Sequence, residues 1–362
     1  MTTEQKSSFK PPNPILMTTK RWFSTNYGTL LALLVLSILI ALSEPNFATE
    51  GNVINILRQV SINGIIAIGL TMSLLIGGVD LSVGSTCAAA GCLVVKLFES
   101  PEAAAGTAGG LGWNVWGAIL FTLFVGGLIG LFNGIFVANT NLPFFVITLA
   151  TQMTVRGIAY WFTGGYPILS NNEIFNKIGN GNIEIARAGA NPFQIPYPVI
   201  IMIVLFILYG VLLSRTRFGR HVYAIGGNRE AAIHSGINVR RILTIIYVNN
   251  GVLASIAGII LASRMLSGQP TVGIGYEGEA IAASVLGGVS FSGGFGTISS
   301  TIIGSLILGV VNNGMNVLGL QFYFQYIAKG LIILFAVYFD SIKNTFLADR
   351  KAKRQLKKEG VV

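Results

Sequence analysis

Long apolar segments, separated by short polar ones, follow each other through most of this chain. A helix needs about 20 mostly apolar residues to cross the hydrocarbon core of a bilayer. We assign ten segments near that length, at 27–43, 57–77, 81–98, 114–138, 143–163, 197–214, 242–266, 279–289, 296–318 and 323–342. Because lipid satisfies no backbone hydrogen bonds, the repetition predicts an all-α polytopic membrane protein of about ten transmembrane helices. The eighth segment is too short to cross alone, which predicts one or more broken helices.

Composition agrees with a membrane protein. Of the 362 residues, 52% are hydrophobic and only 10% are charged, whereas soluble domains have about 25% charged residues. The formal net charge is +10, and most lysines and arginines fall near the N-terminus, in residues 215–241 or in the C-terminal tail. Cations at the ends of apolar segments follow the positive-inside rule and do not indicate a nucleic-acid partner. The basic tail is also able to contact anionic lipid headgroups.

The loops between the ten segments alternate in charge. Loops after odd-numbered segments have Lys177 and Arg187 as their only cations, whereas loops after even-numbered segments include the arginine-rich 215–241. This asymmetry predicts ten crossings with both termini in the cytoplasm. It divides the chain into a cytoplasmic arm (1–26), a membrane domain (27–342) and a basic cytoplasmic tail (343–362). The long, Asn-rich outer loop 164–198 is either a docking surface for a soluble partner or simply solvated.

The cytoplasmic loop 215–241 contains a short segment with the signals of a helix. Glu230, Ala231 and Ala232 favour a helix, and Gly236 is able to end it in a left-handed conformation. Together with Arg229, they stand in a cytoplasmic loop, which is not a place to handle a solute that crosses the bilayer. We predict a short helix that docks another protein; the alternative is a solvated loop.

Polar side chains inside the apolar segments are candidates for the wall or gate of a solute path. Asp80 is one, because acids at membrane depth are often functional. Asp80 also lies where a helix N-cap would accept a hydrogen bond from the amide of Ser82 or Val83, and we favour capping and gate geometry over direct solute contact. The neutral candidates are able to bind solute hydroxyls or to bridge helices, and they are Asn63, Ser82, Gln152, Asn249, Asn312 and Asn313.

Residue patterns for enzyme or metal chemistry are missing from the sequence. Cys87 and Cys92 lie five apart in one apolar segment, and His221 and His234 stand in the cytoplasmic loop without further ligands. These spacings do not indicate a metal centre. We find neither a nucleophile–base pair nor the Gly-x-x-x-x-Gly-Lys-Ser/Thr phosphate loop. We therefore expect no catalytic residue, no metal and no cofactor on this chain, so that any ATP is bound by another subunit.

Five collinear stretches carry a family resemblance. They are 77–85 (GGVDLSVGS), 142–150 (LPFFVITLA), 216–219 (TRFG), 224–228 (AIGGN) and 280–290 (AIAASVLGGVS). In this order they resemble the permease subunits of ATP-binding-cassette importers for carbohydrates, the group that serves ribose, xylose, arabinose and galactose. The resemblance extends from about residue 52 to 340. Residues 229–236 resemble the coupling loop by which such permeases contact their ATPase.

The resemblance implies a multi-pass permease of the bacterial inner membrane. Its partners would be a second copy of itself or a related permease, a cytoplasmic ATPase that holds ATP and Mg, and a periplasmic sugar-binding protein. The alternative is an ion-coupled secondary transporter of a small polar solute. That class usually needs ionisable groups within its spans, where Asp80 is nearly alone and Glu279 lies at a boundary. Neither the sugar nor the lining of its path follows from the sequence.

Overall fold

The computed structural model describes residues 14–100, 110–186 and 192–358, and most of them are helical. The helices are α1 (Pro14–Ser43), α2 (Glu50–Leu75), α3 (Val83–Phe98), α4 (Val115–Asn139), α5 (Phe144–Thr163), α6 (Glu173–Asn180), α7 (Tyr197–Arg215), α8 (Arg217–Gly227), α9 (Arg229–His234), α10 (Val239–Arg264), α11 (Tyr276–Leu286), α12 (Ile298–Val317) and α13 (Phe322–Lys358), with a 3₁₀ helix at Pro45–Ala48. Each of the ten apolar segments assigned from the sequence coincides with a helix. Part of the predicted N-terminal arm and the last four residues lie outside the described residues.

Four short strands form two small antiparallel sheets beside the helices. Strand β1 (Ile168–Leu169) pairs with β4 (Ser267–Gly268), and β2 (Asn182–Ile185) pairs with β3 (Phe193–Pro196). All but β4 lie in the predicted outer loop 164–198, which is therefore an ordered unit with α6 in the part of it that the structure describes.

Within the described residues, six helices are long and apolar enough to cross a membrane alone. They are Glu50–Leu75, Val115–Asn139, Tyr197–Arg215, Val239–Arg264, Ile298–Val317 and Phe322–Ile342. Two further apolar helices, Tyr27–Ser43 and Val83–Phe98, are shorter. The polytopic helical class is thus confirmed, whereas ten crossings remain a prediction that helix length alone does not establish.

Helices α2 and α10 form the centre of the bundle, with α3, α4, α7, α11 and α12 packed around them. The contact between α4 and α10 depends on three glycines one turn apart, Gly126, Gly130 and Gly134. A Cβ atom at Gly130 would collide with the carbonyl oxygen of Tyr247. Small residues at this spacing let two helix backbones approach closely, which is the main way helices pack inside a bilayer.

Helices α3 and α11 both begin inside the bundle. After α2 ends, residues 76–82 turn back along its last turns, so that Asn250 of α10 bonds both Ser73 and Asp80. After α10, residues 265–275 turn back along α3, and Gly273 reaches the backbone of Gly84. The broken helix expected at the eighth apolar segment is α11, which has 11 residues. Helix α3 is a second broken helix, and the N-terminal ends of α3 and α11 meet.

The loops gather at two ends of the bundle, in the two groups that their charges predicted. At one end β1 pairs with β4, and the Asn171 amide donates to Glu99 Oε2 at 3.1 Å. At the other end the Gly294 amide donates to the carbonyl of Leu75 at 2.8 Å, and the hydroxyl of Tyr223 donates to the carbonyl of Gly296 at 2.7 Å. We call the end with β1 and β4 the outer end and the end with Tyr223 the inner end.

The glycine contact between α4 and α10 gives a stability prediction. Gly130→Val should lower the free energy of unfolding by about 1–3 kcal/mol, because the new side chain overpacks a backbone contact. Gly117→Val is the matched control, since Gly117 lies on the same helix with no atom within 4 Å of an added Cβ. Thermal unfolding of the detergent-purified protein measures both. Equal melting temperatures for the two variants would contradict the close approach of α4 and α10.

Candidate functional site

Asp80 lies at the centre of a buried hydrogen-bond network at the first break. The residue is 1% exposed. Its Oδ1 accepts hydrogen bonds from the backbone amide of Ser82 at 3.0 Å and from the Ser82 hydroxyl at 2.6 Å, and its Oδ2 accepts from Asn250 at 3.0 Å. The expected bond from the Ser82 amide is present. The predicted N-cap position is wrong, because α3 begins at Val83 and Ser82 is its N-cap.

The network extends from Asp80 into four helices. The Asn133 amide donates to Ser82 Oγ at 2.8 Å, and the Thr151 hydroxyl donates to Asn133 Oδ1 at 2.6 Å. The amide of Asn250 also donates to Ser73 Oγ at 2.7 Å. These bonds join α2, α4, α5 and α10. Since Asp80 and Ser82 are both buried against protein groups, they hold helices together and do not line an open path in this conformation.

A second buried network surrounds Glu279 in the first turn of α11. Lys329 of α13 donates to Glu279 Oε1 at 2.7 Å, and the two side chains form an ion pair. Asn63 and Asn312 donate to Oε2 at 2.5 Å and 3.3 Å. The network joins α2, α11, α12 and α13. Lys329 was not predicted from the sequence, although a single cation in the middle of an apolar segment is the signal that indicates such a residue.

Two more of the predicted path residues bridge neighbouring helices. Asn313 and Asn52 exchange two side-chain hydrogen bonds of 2.8 Å, which join α12 to α2. Asn249 accepts from the hydroxyl of Tyr209 at 2.8 Å, which joins α10 to α7. Bridging was the alternative to path lining for these amides, and their contacts in this structure are of that kind.

Gln152 lies in a third polar cluster, at the second break. It donates to Glu277 Oε1 at 3.1 Å, and both residues are half-buried. Arg156, one turn further along α5, donates to the carbonyls of Pro270 and Val272 at 2.6 Å each. Of this cluster, only Gln152 was predicted from the sequence. A pair of charged residues within or beside apolar segments, Arg156 and Glu277, was the signal that indicated the rest of it.

The cytoplasmic loop predicted from the sequence contains two short helices, α8 and α9. Asn228 caps α9, because its side chain accepts from the amide of Ala231 at 2.9 Å. Gly236 follows α9 with φ +79°, the left-handed conformation expected for the residue that ends the helix. The short helix predicted for 229–236 is therefore present.

One residue of the predicted docking segment lies on the buried face of α9. Arg229, Glu230, Ala231 and Gly236 are exposed. Ala232 is only 3% exposed and belongs to the main core of this chain, so it has no surface to offer a partner. A six-residue helix lying on the bundle must turn one face inward, and Ala232 is on that face. Ile233, which sequence analysis did not single out, is 47% exposed.

Helix α8 connects α9 to the inner end of the bundle. A Cβ at Gly226 would collide with the carbonyl oxygen of Leu75, so α8 packs directly on the end of α2. The hydroxyl of Tyr223 donates to the carbonyl of Gly296, which fixes α8 to the segment between α11 and α12. Burial raises the pKa of Tyr223, so this hydroxyl keeps its proton at neutral pH. A force on α9 therefore has a direct route to the residues next to the first break.

The Asp80 network predicts different outcomes for two substitutions. Asp80→Asn should change the free energy of unfolding by no more than about 1 kcal/mol. The new side chain still accepts from Ser82, and Asn250 is able to turn its unpartnered Oδ1 toward it. Asp80→Leu should cost several times as much, because it removes the acceptor of the Ser82 amide, of the Ser82 hydroxyl and of one of the two hydrogen bonds that Asn250 donates.

Thermal unfolding and solute uptake, measured for both Asp80 variants, check this prediction. An Asp80→Asn protein that folds like the wild type but transports nothing would show that the negative charge itself is needed, contrary to the role inferred from its contacts.

The chain is similar to known permeases over most of its length. Residues 52–337 match the family described as the branched-chain amino acid transport system permease component. The chain is 42% identical over 329 residues to the ribose import permease protein RbsC of Escherichia coli K12, covering 90% of this chain and 96% of that one. It is 42% identical over 319 residues to RbsC of Bacillus subtilis 168, covering 88% and 93%. It is 41% identical over 331 residues to the L-arabinose transport system permease protein AraH of E. coli K12, covering 91% and 92%. No solved structure matches.

Proposed function

The chain belongs to the family of branched-chain amino acid transport system permease components, and we propose that it is the membrane-spanning permease subunit of an ATP-driven sugar importer. The observation that carries the sugar assignment is similarity over about nine-tenths of the chain to permeases named for ribose and arabinose. Because the identities to these two kinds of permease are nearly equal, the proposal is a monosaccharide and does not choose between sugars. The chain is a translocation subunit, not an enzyme.

The proposed topology has ten crossings, both termini in the cytoplasm and the outer end facing the periplasm of a bacterial inner membrane. A helix at each of the ten apolar segments supports this count. The arginine-rich loop at the inner end supports the orientation, since cytoplasmic loops carry an excess of Lys and Arg. The basic tail continues α13 as far as Lys358.

ATP and Mg would be held by a separate cytoplasmic ATPase, and this chain would bind no cofactor. The exposed residues of α9, Glu230, Ala231 and Ile233, support a docking role because apolar and helix-forming residues face outward from the inner end. The contacts of α8 with Leu75 and Gly296 support a coupling role. A movement of the ATPase would be passed through α8 to the end of α2 and to the segment before α12.

A periplasmic sugar-binding protein would dock on the outer end. The support is the ordered outer loop, where α6 and the β2–β3 sheet expose Ile174, Ile183 and Ile185. Residues 187–191 of this loop lie outside the described part. A second permease, either a copy of this chain or a related one, and lipid would share the remaining exposed apolar faces.

The topology is tested by labelling single cysteines with a membrane-impermeant maleimide. The native cysteines, Cys87 and Cys92, are both buried. Glu184→Cys at the outer end should label in intact spheroplasts, and Arg229→Cys should label only after the membrane is opened. The reverse labelling pattern would show that the proposed orientation is inverted. Helix α9 would then lie on the wrong side of the membrane to dock a cytoplasmic ATPase.

Coupling is tested in proteoliposomes that contain the chain, its ATPase and the binding protein. We expect wild-type uptake of D-ribose or L-arabinose to require ATP and to survive a protonophore. Ala231→Glu should abolish co-purification of the ATPase or reduce uptake about tenfold or more, because it places a charge in the contact, where an unpaired charge costs several kcal/mol.

The matched control is Ala224→Glu, which adds the same charge to an exposed position of the same loop outside α9. Equal loss in both variants would indicate a general effect of loop charge. Wild-type behaviour of Ala231→Glu would mean that α9 is a solvated loop. Uptake that stops with the protonophore while ATP is present would favour the ion-coupled alternative.

A further inference from the structure

One face of α5 and the adjoining residues 270–277 combine exposed apolar side chains with ionisable ones. Met153 of α5 is 66% exposed, and Ile274 in the second break is 59% exposed. The same two segments contain the half-buried side chains of Gln152, Arg156 and Glu277. An ordinary lipid-facing surface, such as that of α4, is apolar throughout its middle section, so this face is of a different kind.

The cluster lies near the middle of the bundle. Glu277 contacts the first turn of α3 at Gly84. Two residues later, Glu279 bonds Asn63, which is close to the midpoint of the 26-residue helix α2. An ionisable side chain at that depth is costly against lipid and is found facing protein or a water-filled cavity. The exposed face of α5 therefore adjoins water, protein or both.

The Glu277 carboxylate keeps an unused acceptor. Its Oε1 accepts from Gln152 at 3.1 Å, while Oε2 has no hydrogen-bond partner and is covered. A side chain at Gly84 would collide with Oε2, so the glycine allows the carboxylate to lie against the start of α3. Gln152 is half-buried and its one hydrogen bond to a side chain is the bond to Glu277. A polar solute that displaced this amide would gain access to Oε1, the carboxylate oxygen that accepts from Gln152.

The other polar candidates lie in buried hydrogen-bond networks of their own. Asp80 and Ser82 are buried in their own network, and Asn312 is buried beside Glu279. Arg156 is held by the carbonyls of Pro270 and Val272, which fixes the backbone that precedes Glu277. The carboxylate is thus held by a braced segment, with Oε2 against the start of α3 and Oε1 covered by the Gln152 amide.

We propose that Glu277 and Gln152 form the contact that receives the hydroxyl groups of the sugar midway through the membrane. A carboxylate accepts from two neighbouring hydroxyls of a monosaccharide, and an amide both donates and accepts. The same carboxylate repels the acid group of an amino acid. The inference rests on the proposed sugar-import function and gives that function a specific pair of residues.

The first test asks whether this face meets water, and it needs no transport. Met153→Cys, in the assembled importer, is treated with a charged methanethiosulfonate reagent. The control is Leu128→Cys, in the middle of α4, where Leu128 is 45% exposed. We expect Met153→Cys to react about tenfold faster or more, because a charged reagent enters hydrocarbon poorly. Equal rates would overturn the proposal.

The second test measures uptake of D-ribose and L-arabinose in proteoliposomes with the ATPase and binding protein. Glu277→Gln should lower uptake about tenfold, because it weakens hydrogen bonds to a charged acceptor. Its melting temperature and sugar-independent ATP hydrolysis should stay at wild-type values. Glu50→Gln is the control, since Glu50 is an exposed carboxylate at the start of α2.

The outcomes separate the two proposals. Wild-type uptake by Glu277→Gln would overturn the sugar contact and leave the importer function standing. Loss of uptake together with a lower melting temperature would assign Glu277 a packing role and would also overturn it. If the wild type, supplied with ATP, takes up neither these two sugars nor D-xylose or D-galactose, the proposed function itself fails, and the choice of hydroxyls as ligands fails with it.

Discussion

Backbone carbonyl groups inside a bilayer need hydrogen-bond donors from the protein, and this requirement governs both broken helices. At the first break the hydroxyl of Tyr247 donates to the carbonyl of Val79 at 3.2 Å. At the second break Arg156 donates to the carbonyls of Pro270 and Val272. Helices α10 and α5 supply these donors, so the positions of α3 and α11 depend on how α10 and α5 pack.

In the proposed mechanism, the two breaks serve different tasks at different depths. The first is next to the inner end, where α8 packs on Leu75 and Gly296 and gives α9 a route to the membrane helices. The second brings Glu277 to the start of α3, near the middle of the bundle. A permease for a neutral sugar needs a surface that couples it to its ATPase and a weak polar contact for the sugar. It does not need a tight binding site. The buried networks of Asp80 and Glu279 keep the helices between these two regions together.

Much of the fold was predictable, whereas the site was predictable only in part. The ten helical segments, the two groups of loops and the short helix before Gly236 followed from hydropathy, charge and helix signals along the chain. Ala232 was included in the segment predicted to dock another protein, although it lies against the bundle, because a six-residue pattern does not show which side of a helix is covered. Asp80 was placed at the helix cap, although α3 starts two residues later than that role requires.

The sequence by itself determined the properties that neighbouring residues share. These are the length of each apolar segment, the charge of each loop and the membership of a family. What only the tertiary structure decided is which polar side chains face one another. Asp80 and Asn250 are 170 residues apart, and Asn63 and Glu279 are 216 apart. Such pairs form because small residues bring distant helices into contact and because polar groups buried there must find partners. The requirement is general, but the choice of partner depends on the angle and depth at which each helix packs, which no local pattern records.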